Sequence, residues 1–154
     1  MSKILIDGEY YSKNTQLKNK NNIFLRIIKE LNNFSNKLYW KFYCDLKYLL
    51  HVFSNLIDNA IKYSKDTIDI TIKTSVIGNK LQITFQDKGI GMDATTSKHI
   101  FEKFYRAHSG NIHNVKGFGL GMSYVKWVMD IHKGSIKVDS VIDKGTTITL
   151  LLPI

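Results

Sequence analysis

Four short stretches of this chain hold residue types whose spacing could do chemistry. In NLIDNAIKYS, residues 55–64, a helical step of about 100° per residue puts Asn55, Asn59 and Lys62 on one stripe. Asp58 and His51 lie beside that stripe and the apolar face lies opposite. Amide oxygens so placed could coordinate a hard cation while Lys62 meets a phosphate. Mg²⁺ shared with a nucleotide needs only one or two protein oxygens, so a single Asn suffices. Alone, the same stripe also reads as a solvated polar face. In FQDKGIGM, residues 85–92, a strand delivers Asp87, and Gly89 and Gly91 then leave the backbone bare. A carboxylate at a strand end can accept a hydrogen bond from an exocyclic amino group such as adenine's, and the glycines would let a flat base approach the main chain. In IFEKFYRAH, residues 100–108, Phe101 and Phe104 are expected to anchor the segment to the core, leaving Lys103, Tyr105 and Arg106 to face an anion. The fourth stretch, VKGFGLGMSYVKWVMDIHKG at 115–134, sets Gly117, Gly119 and Gly121 before a helix. Backbone N–H groups and the helix dipole converge there on a phosphate, although an ordinary tight turn has the same letters. It is not a G-x-x-x-x-G-K-[ST] loop, and no parallel βαβ unit surrounds it as a dinucleotide fingerprint requires.

The elements that must position these residues can be read from periodicity. Residues 1–22 hold a short apolar piece, KILI, read as an edge strand, followed by a Lys/Asn-rich loop or linker; the main domain then runs over 23–154. Phe24, Ile27, Ile28 and Leu31 recur at helical spacing, and LYWKFYC at 38–44 favours a strand. Asp45 can cap a helix running to about Ser64. Residues 67–74 and 81–85 alternate with period two around Gly78-Asn79, a hairpin. Periodicity weakens from Asp93 to about Lys116, where KHIFEKFY could form a short helix. After the glycines comes a helix with Met122, Val125, Val128, Met129 and Ile131 apolar, stopping at Gly134. SIKVDSV and TTITLLLP close the chain as a second hairpin around Asp143-Lys144-Gly145. The expected fold class is α+β, a two-layer sandwich with helices on one face of a mixed, mostly antiparallel sheet.

Composition narrows the function. The 154 residues suit one domain with a sizeable core, and 44% hydrophobic with 23% charged is ordinary for a globular protein. No apolar run approaches the roughly 20 residues that span a bilayer, so no direct membrane insertion is expected. The N-terminus shows no signal-peptide pattern, and the single Cys44, among apolar neighbours, reads as a small core residue in a reducing compartment. A net charge of +9 raises the question of nucleic acid. However, 20 of the 22 basic residues are Lys, spread evenly, and Arg occurs only at 26 and 106, so no nucleic-acid partner is expected.

Taken in this order and spacing, the four stretches resemble the catalytic, ATP-binding (Bergerat-fold) domain of bacterial sensor histidine kinases, whose wider relatives are the gyrase, Hsp90 and MutL ATPases. NLIDNAIKYS looks like the N box, DKGIGM the G1 box, FEKFYRA the F box and GFGLG the G2 box, and DKGTTITLLLP resembles the closing strand pair. The resemblance covers roughly residues 38–154. It implies Asn59 as Mg²⁺ ligand, supported by Asn55, with Lys62 on phosphate and Tyr63 against adenine or ribose. It implies Asp87 on the adenine amino group, helped by Gly89, Gly91 and Met92 of the same box and, through water, by Thr146 or Thr147. Arg106, with Tyr105, would approach the outer phosphates, and Gly117, Gly119, Leu120 and Gly121 would close over them within a mobile lid at about 93–121. The implied activity is Mg·ATP binding and donation of the γ-phosphate to a histidine on a separate dimerisation and phosphoacceptor domain, with a response regulator downstream, in the cytoplasm. None of the histidines at 51, 99, 108, 113 and 132 has the family's phosphoacceptor context, so transfer by this chain alone is expected to be negligible. Lys88 stands where Asn is frequent in the family and Lys133 where Gly is frequent. A serine kinase of the anti-sigma-factor type and a degenerate docking module are the alternatives with the same fold.

Overall fold

Alternating strands and one long amphipathic helix account for most of the architecture. The computed structural model describes residues 3–6, 9–12, 46–106 and 118–153. The helix and aromatic strand expected over 23–44, with Cys44 and the cap Asp45, lie outside the described residues, as do Gly117, His108 and His113. The strands are β1 (Lys3–Ile6), β2 (Glu9–Ser12), β3 (Asp69–Ile77), β4 (Lys80–Asp87), β5 (Ser135–Val141) and β6 (Gly145–Pro153). They form one sheet in the order β2-β1-β3-β4-β6-β5. Among the described strands, the β1–β3 pairing alone is parallel and the others are antiparallel. KILI is therefore not an edge strand: EYYS, which sequence periodicity did not single out, pairs outside it.

Among the described residues, three helices accompany these strands: α1 (Leu46–Lys62), α2 (Ala94–His99) and α3 (Gly121–Ile131). On α1, Leu49, Val52, Phe53, Leu56, Ile57 and Ala60 are buried, and on α3 Val125, Val128 and Met129 are. They pack with one face of the sheet: Ile70 and Ile72, Leu81, Ile83 and Phe85, Ile148, Leu150 and Leu152. Register makes that face continuous, since Ile83 stands opposite Leu150 and Ile72 opposite Phe85. Each of these larger side chains contributes roughly 1.5–3 kcal/mol on burial. Phe53 meets Phe85 at 5.6 Å between ring centroids, tilted by 40°. No described helix is long and apolar enough to cross a membrane.

The two hairpins turn as their letters predict. Between Ile77 and Lys80 the loop is two residues, with positive φ at Gly78, the first, as a type II′ turn requires. Two expectations need correction. The short helix is α2, not KHIFEKFY, because Asp93 caps it by accepting from Thr96 N at 2.6 Å, and it ends before Phe101. Phe104 does not anchor its segment: the residue is 70% exposed, and its backbone sits at φ 65° with its N–H on Gly119 O at 3.0 Å.

The end of α3 also differs in detail. Gly134 N donates to Met129 O and Lys133 N to Asp130 O, a Schellman closure whose left-handed residue is Lys133 at φ 53°. Gly134 serves close packing instead: a Cβ there would stand 2.7 Å from both Leu151 O and Met129 Cε. The two positions should thus respond oppositely in urea denaturation. Lys133→Gly should raise stability by about 1 kcal/mol by removing left-handed strain, and Gly134→Ala should lower it by about 1–3 kcal/mol through overpacking.

Candidate functional site

One cavity of about 670 Å³ gathers most of the chemically distinctive residues. Its walls come from α1, the end of β4 and the loop after it, α2, Tyr105 and Arg106, residues 118–122, and the start of β6. Leu56, Ala60, Ile70, Phe85, Ile90 and Ile148 make part of that wall apolar.

Asp87 follows Leu81, Ile83 and Phe85 on the same side of β4, so it continues the apolar face one step past the core, opposite Ile70. Burial pushes its carboxyl above the ordinary aspartate range, while N–H bonds from Gly89 and Thr146 pull it back. Both bonds fall on Oδ1, from Gly89 N at 2.8 Å and Thr146 N at 3.2 Å. Oδ2 has no hydrogen-bond partner among the described residues and belongs to a side chain lining the cavity.

Glycines make the framework around Asp87 possible, for a reason other than base access. A Cβ on Gly89 would lie 2.4 Å from Tyr63 O; one on Gly91, at φ 66°, would lie 2.0 Å from Val141 O. Gly145, at φ 104°, would put a Cβ 2.0 Å from Asp87 O. These contacts thread the loop after β4 between the end of α1 and the β5–β6 turn. Ile90 N donates to Tyr63 O at 3.0 Å, and Asp143 N donates to Ile90 O at 2.7 Å. Lys65 Nζ clasps Asp143 through its carbonyl at 3.1 Å and its carboxylate at 2.8 Å, a tie the sequence reading missed.

The polar stripe of α1 borders the same cavity. Asn55, Asp58, Asn59, Lys62 and Tyr63 all line it. Tyr63 adjoins the Asp87 loop, and Asn55 precedes it by eight residues, about 12 Å along the helix axis. Asn55 Nδ2 donates to His51 O at 2.8 Å, leaving Oδ1 to face the start of α3, where a Cβ on Gly121 would meet it at 2.8 Å. The Asn59 carboxamide makes no hydrogen bond among the described residues. Its oxygen and that of Asn55 are hard neutral donors of the type Mg²⁺ accepts. Leu120, the N-cap of α3, offers no side-chain cap, so the first N–H groups of that helix keep their capacity for an anion. Burial, then the Arg106 guanidinium, lower the pKa of Lys62. Its Nζ stands 5.3 Å from the centroid of the Tyr63 ring. Two cations that repel each other at one rim make a place for polyanionic charge.

Most of the sequence-expected residues are therefore brought together, including Met92, Gly119, Leu120 and Gly121. Gly119, at φ 70°, presses on the backbone of Phe104 and Tyr105, within 2.9 Å of a Cβ built there. Tyr105 stacks near His99, with centroids 5.6 Å apart. Thr147 is not brought in: strand alternation turns it to the opposite face of the sheet, across from Gln86, and Thr146 alone lines the cavity. Lys88 also points away, pairing with Asp69 at 3.1 Å, so its departure from the family pattern leaves the cavity unchanged. His51 supports Asn55 through its carbonyl, while its ring packs edge-on to Tyr124 with centroids 6.1 Å apart. Among the described residues no group of three or more His, Cys, Asp or Glu could hold a metal.

Comparison with known proteins agrees with this arrangement. Residues 44–154 match the family of histidine kinase-, DNA gyrase B- and HSP90-like ATPases. The chain is 43% identical over 114 residues to the sensor protein RprX of Bacteroides fragilis, covering 73% of this chain and 22% of that protein. It is 35% identical to the sensor-like histidine kinase SenX3 of Mycolicibacterium smegmatis, covering 68% of this chain and 27% of the relative. The chain thus spans about a quarter of the length of these relatives. Among solved structures, the mycobacterial sensor histidine kinase MprB is 27% identical with a TM-score of 0.61, covering 70% of this chain and 71% of that one. The nucleotide-free catalytic domain of the histidine kinase ThkA shares the fold at 23% identity and a TM-score of 0.59, covering 70% of this chain and 68% of that one.

The raised pKa of Asp87 gives a stability test. The folded state holds the proton more tightly than the unfolded chain, so this group's contribution is full below the ordinary carboxylate range and lost as pH rises through the folded pKa. Asp87→Asn removes the titration while its Oδ1 can still accept both N–H bonds. Its Tm should exceed that of wild type by about 1–3 °C near pH 7 and lose that advantage near pH 4. Thermal melts at the two pH values check this, and an Asn variant less stable than wild type near neutrality would contradict it.

Proposed function

Because this chain belongs to the histidine kinase-, DNA gyrase B- and HSP90-like ATPase family, we propose that its cavity binds Mg·ATP and presents the γ-phosphate to a histidine on a dimerisation and phosphoacceptor domain. A response regulator would then receive the phosphoryl group, in two-component signalling on the cytoplasmic side. The observation that carries this reading is the polarity of the cavity. An acceptor carboxylate, Asp87, lies among apolar walls, while amides, cations and an uncapped helix start line the other reach. The base lies in the apolar part with its amino group on Asp87, and Tyr63 lies against the adenine or ribose. The phosphates run along α1 toward Asn55 and the start of α3.

Each residue then has a binding or orienting task. The first N–H groups of α3, with Gly119 and Gly121 keeping the backbone free of side chains, receive phosphate oxygens. Lys62 approaches the phosphates, and Arg106, with Tyr105, the outermost one, where negative charge is carried during transfer. Asn59, supported by Asn55, would hold Mg²⁺, which supplies charge neutralisation of the phosphates when bound. No group here needs to act as a nucleophile. The contribution of the chain is positioning and electrostatic stabilisation, as for phosphoryl transfer generally.

Calorimetric titration with ADP and ATP, with and without Mg²⁺, tests this reading. Asp87→Asn should weaken ADP binding by about 10- to 100-fold through loss of a charged hydrogen bond. Lys62→Ala should weaken ATP binding by about tenfold and reduce its salt dependence. With Asn59→Ala, Mg²⁺ should no longer tighten ATP binding. A wild type that binds no nucleotide at millimolar concentration overturns the proposal.

A further inference from the structure

Ser140 lies on β5, outside the cavity lining, yet its hydroxyl is the hub of the polar contacts behind Thr146. Ser140 Oγ accepts from Met92 N at 2.9 Å, donates to Gly145 O at 3.0 Å, and lies 2.9 Å from Thr146 Oγ1. A serine hydroxyl has one proton. With that proton on the Gly145 carbonyl, the third contact can exist only if Thr146 is the donor. The Thr146 proton is then committed to Ser140, and its oxygen has only lone pairs left for the cavity it lines. The neighbouring Asp87 Oδ2 is also an acceptor when ionised, since the two N–H bonds that orient the carboxylate fall on Oδ1.

We propose that Ser140 is a positioning residue that sets the base selectivity of this site. By keeping the Thr146 hydroxyl as a donor to itself, it makes the base-reading edge acceptor-only. Such an edge takes an exocyclic amino group and rejects a carbonyl oxygen at the same place, because two facing acceptors leave both unpaired. Without Ser140, the Thr146 hydroxyl rotates and can donate, and the edge then tolerates either group. The same Ser140 oxygen holds Met92 N, so the loop carrying Gly91 and the base-reading threonine are set by one atom.

This inference rests on the nucleotide reading above, and its test separates the two. ADP and inosine diphosphate differ at one edge of the base: the amino group of the first is replaced by a carbonyl oxygen on the second, and the adjoining ring nitrogen gains a hydrogen. Both are titrated by calorimetry into wild type, Ser140→Ala, Ser140→Cys and Ser140→Thr. Ser140→Ala should lower the preference for ADP over inosine diphosphate by about tenfold, chiefly by tightening the inosine ligand. Ser140→Cys, whose thiol holds Thr146 weakly, should shift the ratio the same way by less and serves if the Ala variant does not fold. Ser140→Thr, which restores the hydroxyl, should recover the wild-type ratio. A ratio unchanged in Ala and Cys, or a parallel loss of both ligands, overturns the proposal by reducing Ser140 to a structural role. A wild type that binds neither nucleotide removes the nucleotide reading and this proposal with it.

Discussion

The shared acceptor Asp87 Oδ1 is the interaction on which the site depends. Two backbone donors, Gly89 N and Thr146 N, converge on it from segments 59 residues distant at the farther contact. This ties the end of β4 to the start of β6, where the sheet would otherwise run out of core to bury. A carboxylate there carries a desolvation cost, which its raised pKa records. The two N–H bonds offset part of that cost and orient the group. Everything around them is backbone against backbone: the approaches of Gly89 to Tyr63, Gly91 to Val141 and Gly145 to Asp87 leave no room for a Cβ.

The opposite reach of the cavity rests on a different constraint. Asn55 and Gly121 bring α1 against the start of α3, and Phe104 N on Gly119 O closes the segment beside them. The helices are held in that relation by Val125, Val128 and Met129 packed with the α1 face and the sheet. Exposed ion pairs such as Lys126–Asp130 and Lys137–Asp139 add little, since each is worth under about 1 kcal/mol in water. The rigidity that positions Asn55, Asn59 and Lys62 comes from the core, and the electrostatic character of the rim from Lys62 and Arg106.

Local patterns made much of this legible in advance. The α1 stripe, the Gly78-Asn79 hairpin, the closing hairpin and the α3 face are short-range consequences of period and turn chemistry, and they stand where periodicity put them. Misreadings arose where a residue's role depended on a distant partner. Phe104 looked like an anchor because it is aromatic, but Gly119 holds its backbone and leaves the residue exposed. Gly134 looked like the helix stop, but Lys133 takes the left-handed conformation that ends α3, and Gly134 makes room for Leu151. EYYS gave no turn or periodicity signal strong enough to mark a strand four residues long.

By itself, the order of residues determined which chemistry is available: a carboxylate after a strand, amides and a lysine on one helical stripe, an arginine after aromatics, and glycines before a helix. Those follow from alternation, helical pitch and residue type, which act over a few neighbours. Only the tertiary structure decided that these groups face one cavity, that Thr146 and not Thr147 reaches it, and that Ser140 stands behind Thr146. Met92 and Ser140 are 48 residues apart, and only the passage of the loop after β4 against β5 brings them within a hydrogen bond. A one-residue slip of β6 would exchange Thr146 for Thr147, because neighbouring side chains in a strand point to opposite faces.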